Sequence, residues 1–216
     1  MAELIRIEGS PAIEMAATLR SDATSSQDLN WALEQLGFQV AHKLIEQFFR
    51  KPTPITTPMG IGVDTAIVSI PLCVVIATRS DANQFGRAIA AGLNGAPLGW
   101  LDFGGMSGSE ALKSGARAAS WPDDLRLSRE PIEMLVVAKS VIATGCTAIS
   151  LTRSAMSRYN PRTVAIAAVF SAQAGIDDLA AGFPHSTIFV IGPSDTLDSN
   201  GMLLPGVGNL DERLGA

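Results

Sequence analysis

The chain has 216 residues, enough for one substantial domain and short for two. Apolar residues make up 47% and charged residues 17%, which excludes a disordered tract and implies a well-buried core. A net charge of −5 excludes a broad basic surface for nucleic acid, while leaving room for a local cationic pocket.

The first ten residues, MAELIRIEGS, carry charges where a signal peptide needs an apolar centre. Residues 27–50 follow the helical period, with Leu29, Ala32, Leu33, Leu36, Val40, Leu44 and Phe48 at spacings of three and four. Asp28 can serve the N-terminal end, and Pro52 and Pro54 stop the helix. The longest apolar run, residues 66–77, is too short to span a bilayer and contains Pro71. From Pro71 the pattern changes to a strand over 72–77, continuous enough to be buried on both faces. A helix over 82–93 follows, ended by Asn94-Gly95, and then a short strand over 97–101.

Residues 102–129 are rich in Gly, Ser and charge, and their weak apolar period predicts a long loop or flap. The alternation then resumes. A strand over 134–138 leads to a helix over 145–158, a strand over 164–170 to a helix over 173–181, and a strand over 187–191 precedes the tail. Strands alternating with helices predict an α/β fold, a mostly parallel sheet flanked by helices on both faces. Ligands of such sheets bind beyond the carboxyl ends of the strands.

Three segments fall in that region or beyond the last strand. Ala143, Thr144, Gly145, Cys146 and Thr147 lie between a strand and a helix start, where free amide groups favour a phosphate. A small-residue turn used only for packing fits the same residues, and the Walker pattern is absent. Arg79 follows the 72–77 strand and can clamp a diphosphate in bidentate fashion, or pair with Asp81 at a helix start. The tail carries Met202, Leu203, Leu204, Gly206, Gly208 and Asn209, then Asp211. Too little chain follows Gly208 for a dinucleotide-binding unit. The segment therefore reads as a wall of backbone groups for a planar ligand, or as a plain turn. Cys73, Cys146, His42 and His185 lack zinc spacing and are too few for a disulfide framework.

In this order, the segments resemble the uracil phosphoribosyltransferase family. VVAKSVIATGCTAIS, residues 136–150, is similar to the family's strand and phosphate loop VDPMLATGGS. GMLLPGVGNLDERLG is similar to its uracil-binding tail GYIVPGLGDAGDRIFG. Residues 73–103 follow the segment with VPILRAG, placing Arg79 on the family's arginine, and Leu19-Arg20-Ser21-Asp22-Ala23 resembles its N-terminal LMR.

The resemblance implies a type I phosphoribosyltransferase-like sheet, a single domain over 1–216, an N-terminal helical segment over 1–52 and an insert or flap over 102–131. It implies transfer of ribose 5-phosphate from phosphoribosyl diphosphate to uracil or a uracil-like heterocycle, usually with magnesium, by a homodimer or larger homo-oligomer. The protein is expected in the cytoplasm, with no nucleic-acid or membrane partner. Ala143, Thr144, Gly145, Cys146 and Thr147 would hold the 5′-phosphate; Met202, Leu203, Leu204, Gly206, Gly208 and Asn209 would read the base. Arg79 would face the diphosphate, with Lys139 and Asp211 as further catalytic candidates.

This chain departs from the pattern around the ribose and the diphosphate. Lys139 stands where the family has the aspartate of VDPM, and the strand-end arginine of YRDEET has become Asp102. A cation in place of an anion reverses the local field and disfavours magnesium, so no metal residue is assigned. Lys139 then reads as an electrostatic clamp or a nucleophile of a repurposed enzyme on a nucleotide-like or anionic substrate. Alternatively Lys139 turns outward or pairs with an acid such as Asp102, as neutral drift in a protein that has lost activity; a third reading is a non-catalytic sensor that binds a nucleotide.

Overall fold

Continuous apolar runs become the buried middle of a sheet in the computed structural model, which describes residues 1–106, 108–123, 127 and 132–215. The chain begins with β1 (Glu3–Ile7), α1 (Ser10–Arg20) and α2 (Ser26–Phe48), then a hairpin of β2 (Arg50–Thr56) and β3 (Gly62–Val68). β4 (Cys73–Thr78) leads into a helical run of α3 (Arg79–Asp81), a π-helical turn (Ala82–Gly86) and α4 (Arg87–Gly92). Next come β5 (Leu98–Asp102), α5 (Gly108–Ser114), β6 (Ala118–Ser120), β7 (Met134–Ala138), β8 (Val141–Ile142) and α6 (Cys146–Tyr159). The remainder is β9 (Thr163–Ala168), β10 (Phe170–Ser171), α7 (Gln173–Gly182), β11 (Thr187–Ile191), β12 (Thr196–Leu197), β13 (Leu203–Leu204) and α8 (Leu210–Leu214).

The main sheet has seven strands in the order β1-β11-β9-β7-β4-β5-β6. All its pairings are parallel except the antiparallel β5–β6 edge. Because side chains alternate across a strand, each central strand feeds two apolar layers. Val75, Ala77, Val136, Ala138, Ala165, Ala167 and Phe189 face a layer completed by Leu33, Leu36 and Leu44 of α2 and Ile89 of α4. Val74, Ile76, Leu135, Val137, Ile166, Ile188 and Val190 face the other, completed by Ala111 of α5, Leu151 and Ala155 of α6, and Ile176 and Leu179 of α7.

The long helix α2 follows its apolar period, with a different start from the one expected. Ser25 is the N-cap, its hydroxyl accepting the Asp28 amide at 3.2 Å, while Asp28 sits inside the first turn. Small residues let α2 lie close to the helical run after β4. A Cβ on Gly37 would stand 2.7 Å from that of Ala88, and one on Gly92 would stand 2.5 Å from that of Ala41.

Four expectations are corrected. The N-terminal segment is not purely helical, because Glu3–Ile7 joins the sheet edge beside β11. Pro52 and Pro54 do not follow the helix as simple stops; they lie in β2, whose hairpin has only one partner strand and tolerates the missing donors. The helix after β4 begins at Arg79, earlier than its apolar period shows, because its first turn is occupied by polar side chains. The Gly-rich stretch contains α5, anchored by Ala111, and β6, paired with Trp100–Asp102. Residues 107, 124–126 and 128–131 of that expected flap lie outside the described residues.

Candidate active site

The carboxyl ends of β4, β5 and β7 set the charged part of the site. Asp81 is buried, its side chain only 2% exposed. Its Oδ2 accepts the Thr78 hydroxyl at 2.6 Å and the Lys139 ammonium at 2.8 Å. Burial pushes the Asp81 carboxyl up, but the charge and hydrogen bond of Lys139, with hydrogen bonds from Ser140 and Thr78, outweigh it and hold the group below its ordinary range. Lys139 thus pairs with Asp81, and the expected pairing with Asp102 is corrected.

Asp102 instead holds Arg79. The Arg79 Nη1 donates to Asp102 Oδ2 at 3.0 Å, and the guanidinium sits 5.3 Å from the centre of the Trp100 ring. The Gly104 amide donates to the other carboxylate oxygen at 2.7 Å, and with Arg79 keeps Asp102 below the usual carboxylate range. The pairing of Arg79 with Asp81 expected from sequence is therefore also corrected. Residues two apart in a helix point to different sides. From the first turn after β4, Arg79 turns toward β5 and Asp81 toward β7.

The phosphate-loop candidates sit where α6 begins. Gly145 is its N-cap with φ 77°, and no side chain caps it. The opening amides of a helix have no carbonyl partner within the helix, so those of Cys146 and Thr147 are placed to receive an anion. Backbone contact fixes this loop: a Cβ on Gly175 would meet the Ala143 oxygen at 2.4 Å and the Gly145 nitrogen at 3.0 Å. Only glycine lets α7 approach so near. The Cys146 Sγ lies 3.9 Å from the Thr144 oxygen.

The tail comes back to this loop. Asp198 Oδ1 accepts the amides of Asn200 and Met202, each at 2.8 Å, and those bonds hold its carboxyl below the ordinary range. The turn they make brings Gly201 so near the loop that a Cβ on it would lie 3.6 Å from Thr144 Cγ2. Met202 is exposed, Leu203 and Leu204 pair with β12, and the Leu204–Pro205 bond is cis. Gly206 and Gly208 have φ of 65° and 68°. A Cβ on Gly206 would stand 2.2 Å from the Leu203 oxygen, so the tight turn requires glycine there. Asn209 is the N-cap of α8, its side chain accepting the Glu212 amide at 3.5 Å, and Asp211 lies exposed in the first turn.

Residues without a role in the sequence reading hold this wall. Arg20 makes a bidentate pair with buried Asp195 at 2.9 and 2.8 Å and donates to the Gly206 oxygen at 2.7 Å. Its guanidinium also lies 4.4 Å from the centre of the Phe170 ring. Arg213 reaches back to the Val207 oxygen at 2.9 Å and to the oxygens of Leu19 and Ser21. The Leu-Arg-Ser segment was the available signal for Arg20; Asp195, in a loop with no motif, offered none. A cavity of about 360 Å³ opens elsewhere, at the N-terminal ends of β7 and β9, lined by Phe48, Lys51, Glu133, Met134 and Thr163. It touches none of the segments above.

The mostly parallel sheet flanked by helices, with the start of α6 beyond its carboxyl edge, is a type I phosphoribosyltransferase-like fold. A family model described as uracil phosphoribosyltransferase matches residues 8–214, and the chain belongs to that family. Curated relatives named uracil phosphoribosyltransferase include one from Pyrobaculum islandicum, 25% identical over 203 residues, 90% of each chain. Another, from Natronomonas pharaonis, is 21% identical over 201 residues, covering 90% of this chain and 88% of the relative. The solved structure of the AQ2163 protein from Aquifex aeolicus shares the fold with a TM-score of 0.75 at 19% identity, over 98% of this chain and 97% of the other. Low identity across nearly the full length fits a divergent member. Among the described residues, no helix is long and apolar enough to cross a membrane.

Proposed function

We propose that the protein transfers ribose 5-phosphate from phosphoribosyl diphosphate to a ring nitrogen of uracil or a uracil-like heterocycle. The bond from ribose C1 to the diphosphate oxygen breaks, a bond from C1 to the ring nitrogen forms, and that nitrogen loses its proton. The observation that carries this reading is the nearness of Gly201 to Thr144, close enough that a Cβ on the glycine would lie 3.6 Å from Thr144 Cγ2, which brings the tail's backbone beside the helix start of α6. A nucleotide needs both: amides for its phosphate and a flat wall for its base. Residues 143–147 would take the 5′-phosphate, the backbone of 202–208 would read the base, and Arg79 would turn from Asp102 to the leaving diphosphate. Catalysis would consist of positioning and charge stabilisation at an oxocarbenium-like centre. Diphosphate release from phosphoribosyl diphosphate and a panel of pyrimidine-like bases tests it; silence across the panel removes it.

A second reading, a nucleotide-binding sensor, is favoured by the neutralisation of both cations: Arg79 by Asp102 and Lys139 by Asp81. Calorimetric binding of UMP without any turnover would select it. Lys139 as nucleophile is disfavoured, because an ammonium held in an ion pair has no free lone pair. Work in the cytoplasm as a homo-oligomer is part of the proposal. Exposed Ile55, Ile61, Val63, Ile67 and Val68 on the β2–β3 hairpin support assembly, which light scattering would read.

A further inference from the structure

The reaction proposed above, as the family resemblance implies it, places magnesium near the ribose and the diphosphate. The residues at this end of the sheet do not fit such an ion. Magnesium takes carboxylate and phosphate oxygens in a near-octahedral shell. Here the position matched to the family's acid is Lys139. Asp81, on the neighbouring strand end, gives Oδ2 to both Thr78 and Lys139. Asp102 is shared between Gly104 and Arg79, and Asp195 is taken up by both arms of Arg20. Among the described residues no group of three His, Cys, Asp or Glu side chains could hold a metal ion.

The same geometry makes Lys139 a fixed cation. An ammonium has three N–H donors, and Asp81 receives one of them. Thr78 braces that carboxylate, so the lysine's ammonium is tethered at its base. Its side chain keeps 15% of its exposure, at the carboxyl end of β7 and a few residues before the phosphate loop. Among the described residues no second acceptor takes the other donors, which can meet oxygens of the leaving diphosphate. Because the side chain is ordered by its partner, little entropy is lost on binding.

We propose that Lys139, held in place by Asp81, donates hydrogen bonds to the diphosphate where the family has a metal-side acid, so that the protein binds phosphoribosyl diphosphate without a divalent metal ion. The inference rests on the transfer reading above. Lys139 takes no part in bond making; it binds oxygens of the leaving diphosphate by charge-assisted hydrogen bonds.

Calorimetry with phosphoribosyl diphosphate, in EDTA and in magnesium, tests it. For the native chain, magnesium changes the affinity by less than about twofold. Lys139→Met alone would leave Asp81 as a lone buried charge, so the double variant Lys139→Met/Asp81→Asn is the informative one. Folded, as judged by its melting curve, it loses at least about tenfold in EDTA, the weight of one charge-assisted contact. A native affinity that rises about tenfold or more with magnesium overturns the inference, as does a folded double variant that binds equally well. In those cases the transfer reading stands. A native chain that binds UMP but no phosphoribosyl diphosphate in either medium overturns both.

Discussion

Replacing Gly175 by alanine would test whether the phosphate loop is held in place by backbone contact. The added methyl would arrive 2.4 Å from the Ala143 oxygen, 3.0 Å from the Gly145 nitrogen and 3.0 Å from Ile142 Cγ2. Ordinary carbon–oxygen contact is about an ångström longer than the first of these, so the loop must shift by roughly that amount. Overpacking of this kind costs about 1–3 kcal/mol. Gly175 lies in the first turn of α7, where alanine recovers up to about 1 kcal/mol of helix propensity, so the net loss of stability is at most about 3 kcal/mol. The displaced loop carries the larger effect, since amides of 145–147 aimed at one phosphate lose their common focus. A misplacement near 1 Å at a positioning site costs up to about a hundredfold. Titration of ribose 5-phosphate by calorimetry should therefore weaken about tenfold to a hundredfold while the melting point falls by no more than about 10 °C. Unchanged phosphate affinity in a folded variant would show that residues 143–147 are a packing turn and not an anion seat.

Removing the partner of Arg79 by Asp102→Asn should tighten inorganic diphosphate binding about two- to fivefold, the range of an exposed ion pair, as read by calorimetry. A weaker or equal affinity would show that the pair does not restrain the arginine. Thiol labelling at pH near 8 should find one fast cysteine. Burial, and then the charge of Glu133, push Cys73 up to about 12, whereas Cys146 is half-buried in the loop. Ribose 5-phosphate should slow Cys146 several-fold, and two equally fast thiols would refute the assignment. Asp81 has a depressed folded value, so its stabilisation is fully present above the ordinary carboxylate range and disappears as pH falls through that depressed value. Melting temperatures of the native chain should therefore fall relative to Lys139→Met/Asp81→Asn below about pH 4; parallel curves would contradict it.

Elements whose cause is local were legible in the sequence. The runs at Cys73–Thr78, Met134–Ala138 and Thr187–Ile191 are apolar on both faces, and a strand covered on both sides needs little else. The period of α2 is equally self-contained. β1 is an edge strand with Glu3 exposed and Arg6 donating to the Gly192 oxygen, so its alternation is weak and its partner lies far along the chain. The hairpin is hidden by its prolines. The same division holds at the site. The turns at 143–147 and in the tail announce themselves by glycine and small residues, because close backbone approach demands them. The ion pairs do not, since which acid meets which base depends on the order of β7, β4 and β5 in the sheet, and that order is a property of the whole fold.

The pairing of β1 with β11 also sets a schedule for synthesis. Glu3 lies opposite Thr187 and Ile7 opposite Ile191, while Arg20 grips Asp195 and Arg213 reaches Leu19. Nascent chain leaves the ribosome at about 5–20 residues per second, so the opening segment waits roughly ten to forty seconds for its partners. The middle strands can associate during that interval. The tail wall is braced only when residues 3–20 meet residues 187–213, so it forms after the middle strands.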